Sequence, residues 1–127
     1  DGVVEKVIWD SPMSTKGNGL TIEGLPFVGE DGKKRLLCSV YWHLLEISVK
    51  PGDFVEAGQE IGKMGNSGYV IGSSSSPFSG THLHFGVYAT QGVRILDRKS
   101  TSSACRGRIY TMPVSDLRAY LDPLQYL

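Results

Sequence analysis

Three histidines, His43, His82 and His84, are the residues of this chain best suited to metal or proton chemistry. His82 and His84 stand as His-Leu-His in residues 81–89 (THLHFGVYA), a β-branched and aromatic run that reads as a strand. Strand side chains alternate between faces, so the two imidazoles point one way and Leu83 the other. A pair placed like this can bind a metal jointly, or one ring can bind while its neighbour moves protons. Neutral imidazole is a standard zinc ligand, and zinc lowers the pKa of a bound water towards 7. Hydrogen-bonded histidines of no catalytic role also satisfy the pattern. His43, after Tyr41-Trp42, suits the end of a buried strand as well as it suits catalysis. Spacing alone leaves these readings open.

The elements that must hold these rings are short strands. Sixteen glycines in 127 residues are nearly twice the usual share of about 7%, and such density suits strands joined by tight turns. Residues 3–9 (VVEKVIW) form a strand cut short by Asp10-Ser11-Pro12; Gly17-Asn18-Gly19 is a turn, followed by a short strand over residues 20–23. Glu30-Asp31-Gly32-Lys33 carries the Asp-Gly signature of a hairpin and leads into residues 35–45 (RLLCSVYWHLL), the strongest strand, which carries His43. Residues 49–65 give two very short strands around turns, and residues 72–80 (GSSSSPFSG) a low-complexity loop. Residues 97–107 read as an exposed polar connection, and residues 115–120 as one helical turn capped by Ser115. The expected fold is an all-β antiparallel sandwich or small barrel with at most one short helix, as one domain over residues 1–127.

Composition excludes several functions. Thirteen Lys and Arg against thirteen Asp and Glu give zero net charge, which argues against a dedicated nucleic-acid binder and a polybasic membrane-surface module. No stretch approaches the roughly 18 apolar residues of a membrane-inserted helix. Cys38 and Cys105 form no C-x-x-C pair; one disulfide and two reduced thiols both remain open. The chain opens Asp1-Gly2-Val3-Val4, with neither an initiator Met nor a signal peptide, and is expected to be processed or cut from something longer.

The order of the segments adds more. Tyr41-Trp42-His43-Leu44, then residues 49–62 (VKPGDFVEAGQEIG), then Gly65-Asn66-Ser67-Gly68, then His82-Leu83-His84-Phe85 resemble the lysostaphin/LytM-type zinc endopeptidases. Asp1-Gly2-Val3-Val4 is similar to that family's D-G-x-V strand, and Asp122-Pro123-Leu124 with Tyr126-Leu127 to its ending. The resemblance covers nearly the whole chain. It implies the duplicated-hybrid-motif architecture and hydrolysis of peptide bonds in bacterial peptidoglycan, in the periplasm, at the cell surface or in the secreted state. It further implies that His84 is a zinc ligand, that His82 acts as general base or orients the attacking water, and that His43 stabilises the tetrahedral intermediate. All three are then expected to converge in one groove.

The match also breaks. The family's other two zinc ligands come from an upstream H-x-x-x-D motif, and no histidine precedes His43. Asp10, Asp31 and Asp53 read as solvated turn carboxylates. A domain whose N-terminal part is missing is therefore expected; a catalytically silent module that binds cell wall or activates a separate hydrolase, and a non-standard metal set, are the alternatives. The loop before His82 is longer than the family's, and Gly86 stands where many relatives carry Glu. The glycine-rich stretch before Lys63 is also similar to biotinyl and lipoyl carriers, but Lys63-Met64 reverses their Met-Lys order. A phosphate-accepting histidine module is a further rival.

Overall fold

A computed structural model describes residues 1–9, 17–68, 70, 79–90, 94–99, 101, 106–107, 109–114 and 120–126. Runs of valine, isoleucine, leucine and aromatic residues form β1 (Gly2–Ile8), β2 (Asn18–Val28), β3 (Lys34–Ile47), β4 (Phe54–Val55), β5 (Gly62–Met64), β6 (His84–Thr90), β7 (Arg94–Lys99), β8 (Ile109–Val114) and β9 (Tyr120–Leu121). A short 3-10 helix, Pro123–Tyr126, follows. The main sheet runs β4-β1-β2-β3-β6-β9, antiparallel throughout, with β5 also paired to β3. The result is a curled, barrel-like all-β fold. Among the described residues, β7 and β8 pair with each other as a separate ribbon.

Alternation along β3 divides the apolar residues between two faces. Val4, Leu20, Ile22, Leu44, Val49 and Val55 pack together on one side, with Tyr41 and Ile47 against them. Cys38, Val40 and Tyr88 pack on the other, with Leu36. Leu20 is 1% exposed, a burial worth roughly 1.5–3 kcal/mol.

The Asp31-Gly32 turn forms as expected. Gly32 adopts φ 75°, a conformation that costs glycine little, and the Asp31 carboxylate accepts both guanidinium nitrogens of Arg35 at 2.9 and 2.7 Å. The two very short strands expected within residues 49–65 are β4 and β5. Elsewhere the structure corrects the reading. Asn18 and Gly19 belong to β2: the Asn18 side chain donates to the Leu44 carbonyl at 3.1 Å, and a Cβ on Gly19 would lie 2.8 Å from the Trp42 ring. Close approach, more than turning, explains that glycine. Residues 97–99 lie in β7 and not in a connection, and Tyr120 starts β9 and not a helical turn. Ser115, the 10–12 break, residues 72–78 and Cys105 lie outside the described residues.

Cys38 is fully buried as a free thiol. Burial, then the charges of Glu23 and Glu5, push its pKa from 9.0 to about 12. The folded state thus holds the proton after the unfolded state has released it, so this stability is complete below about pH 9 and is lost as pH rises towards 12. Urea unfolding at pH 8 and pH 10 is expected to show wild type losing about 1.4 kcal/mol more than Cys38→Ala; equal losses would refute the assignment.

Candidate functional site

β3 changes partner at residue 43. β6 pairs with it from Leu36 to Trp42, ending at Trp42 opposite His84, and β5 takes over from Leu44, opposite Met64. On the other edge, Leu20 faces Tyr41 and Asn18 faces Leu44, so β3 spends one more residue than β2 over this step. The extra residue is a β-bulge, a device that re-aims side chains. Regular alternation would put Trp42 and His43 on opposite faces; here both rings approach His84, at 4.7 and 5.8 Å between centroids. The His82 ring lies 4.7 Å from that of His43.

The bulge puts His43 in the left-handed region, at φ 64°. For a residue with a Cβ this costs on the order of 1–3 kcal/mol and persists only where surroundings enforce it. The enforcement comes from Ser67. His43 Nδ1 lies 2.8 Å from the Ser67 carbonyl oxygen; a carbonyl only accepts, so Nδ1 carries the proton and the neutral ring has its lone pair on Nε2. Ser67 is held in turn: its hydroxyl donates to the Leu44 carbonyl at 2.7 Å and accepts the Asn18 amide at 3.0 Å. Gly17 is required at that contact, because a Cβ there would lie 2.3 Å from the Ser67 carbonyl carbon.

His82 is fixed similarly. Its amide donates to the Gly65 carbonyl at 3.1 Å, and its Nδ1 donates to the Gly80 carbonyl at 2.7 Å, again leaving the neutral-ring lone pair on Nε2. Asn66 ties the same two segments by donating to the Ser79 carbonyl at 3.1 Å. His82 sits in an isolated bridge with Gly65, and β6 begins only at His84, so His-Leu-His straddles a strand end.

His43 is buried, while His82 and His84 reach solvent. Partial burial, then the charges of His43 and His82, hold the His84 pKa below the usual histidine value. The shift favours the neutral imidazole, the form in which it can ligate a metal. Among the described residues, no three His, Cys, Asp or Glu side chains are arranged to hold a metal ion.

Other positions resolve differently. Lys63 lies in the middle of β5, its ammonium 2.9 Å from the Glu46 carboxylate across the strand pair, not at a hairpin tip as a carrier lysine would be. A Cβ on Gly86 would meet Tyr88 at 3.1–3.2 Å and Val40 at 3.3 Å, so a longer side chain there must push the core aside. A groove of about 330 Å³, lined by Leu37, Tyr41, Phe85 and Val87 among others, contains none of the three histidines. The odd-numbered residues of β3 and β6 that line it alternate with the even-numbered ones around His84.

The sequence model of Peptidase family M23 matches residues 1–96, which include every residue of this cluster. The chain belongs to Peptidase family M23. Searches of curated proteins and of solved structures returned no match. In this M23 chain the segment Gly65-Asn66-Ser67-Gly68, part of the motif series in the sequence, is the clamp that sets both His43 and His82. Residue types gave no hint that Ser67 acts through its carbonyl, or that Asn18 and Gly17 support it.

Ser67→Ala is expected to cost about 1–2 kcal/mol, because the Leu44 carbonyl and the Asn18 amide lose a shared partner. NMR is also expected to show the His43 Nδ1 proton exchanging faster with water. A stability loss with unchanged exchange would refute the clamp.

Proposed function

We propose that the complete domain is a zinc-dependent endopeptidase that hydrolyses peptide bonds of bacterial peptidoglycan, outside the cytoplasmic membrane. The observation that carries the reading is the convergence of His43, His82 and His84 at a strained bulge in an M23 chain. The donor chemistry suits zinc, since partial burial and the neighbouring histidines favour the neutral form of His84. His84 is the one metal ligand this reading assigns among the described residues. Bound zinc would supply a water acidic enough to ionise near neutral pH.

The two remaining rings handle protons and charge. His82 Nε2 holds the lone pair and accepts a proton from the attacking water, while the Gly80 carbonyl keeps Nδ1 protonated and steadies the imidazolium that results. His43 has the same tautomer, so Nε2 donates only when the ring is charged. In that form, backed by the Ser67 carbonyl, it stabilises negative charge developing on the substrate carbonyl oxygen. Rigid carbonyl partners fix both rings before substrate arrives, which removes reorganisation from the chemical step.

The test uses the full-length gene product with purified peptidoglycan and zinc. His84→Ala is expected to lose zinc and hydrolysis together. His82→Ala and His43→Ala are expected to keep zinc and lose roughly 10²–10⁴ in kcat. Zinc-independent wall binding without hydrolysis by wild type would replace this reading with that of a silent module binding wall or activating a partner hydrolase.

A further inference from the structure

Zero net charge conceals a segregation. Residues 94–114 carry Arg94, Arg98, Lys99, Arg106 and Arg108 against Asp97 alone, a net of +4, so the remaining positions sum to −4. This basic segment holds β7 and β8, and the family match ends at residue 96, within β7. Tyr88 faces Tyr120 in the β6–β9 pair, and Arg94 faces Val114 in the β7–β8 pair, six positions later on the one side and six earlier on the other.

The geometry points to a docking arm: we propose that the β7–β8 ribbon binds a phosphate-bearing anionic polymer of the cell wall and tethers the domain to it. The choice of wall polymer rests on the peptidoglycan reading above. Four of the five cations are arginines, whose planar guanidinium takes phosphate oxygens two at a time. Arg98, Lys99 and Arg106 are exposed. Tyr110 is the one aromatic residue in the segment, whereas single-stranded nucleic acid calls for several stacking rings beside the cations. An anchor made of residues other than the histidine cluster decides where the domain works and leaves bond selection to that cluster.

The experiment measures binding of the full chain to fluorescent poly(glycerol phosphate) at two salt concentrations in the presence of EDTA, so that neither zinc nor hydrolysis contributes. Arg98→Gln/Lys99→Gln/Arg106→Gln is expected to weaken binding about ten-fold or more and to flatten its salt dependence. Lys33→Gln/Lys34→Gln/Lys50→Gln changes the net charge equally at exposed sites on the body and is expected to stay within about two-fold of wild type. Circular dichroism melts establish that both variants fold. Equal weakening by both variants, or no binding by wild type at low salt, overturns the arm. Tighter binding to a single-stranded oligonucleotide of matched charge overturns the choice of polymer. Failure of the peptidase reading would appear only in the hydrolysis assay, so the two are separable.

Discussion

The hydrogen bond from His43 Nδ1 to the Ser67 carbonyl is the contact on which the candidate site turns. A histidine at φ 64° is unfavourable alone, and β3 must nevertheless pass through that conformation to leave β6 and join β5. The bond at 2.8 Å offsets the strain, selects the tautomer and aims the ring in one stroke. Its acceptor belongs to a segment held by Asn18 and Leu44, so β2, β3 and the 65–68 turn lock together around one imidazole. Strain of this kind is stored where the surrounding fold over-determines the backbone, and here it places three rings within 6 Å of a neighbour.

Much of the fold was legible because its signals are local. β1 and β3 announce themselves by β-branched and aromatic runs, the Asp31-Gly32 turn by its dipeptide, and β4 and β5 by turn residues spaced too closely for a helix. The errors have one cause: tertiary contacts override local chemistry. Gly17-Asn18-Gly19 has turn composition, yet Gly19 serves a close approach to Trp42 and Asn18 a bond to Leu44, twenty-six positions away. Polar residues 97–99 become a strand because β8 pairs with them.

The histidines of the candidate site could be named from the sequence, and the residues that hold them could not. Alternation predicts His82 and His84 on one face of a strand, yet β6 begins only at His84, and no periodicity foretells that His43 joins them. The bulge that brings it there is a one-residue mismatch between two paired strands, visible only once pairing is known. The chemistry of Ser67 is likewise carried by a backbone oxygen, which every residue type possesses. Family membership extends over residues 1–96; the geometry adds how each ring is oriented within it.

The sheet ends on two strands of two residues each, β4 and β9. An open, half-closed sheet would ordinarily offer its rim as a template on which a foreign strand could grow. The last strands are too short to nucleate such pairing along their own length. Asp53 and Glu56 flank β4, Asp122 follows β9, and the outer stretch of β1 presents exposed Glu5 and Lys6. Short edge strands and exposed charge thus oppose edge-to-edge aggregation without closure of the barrel.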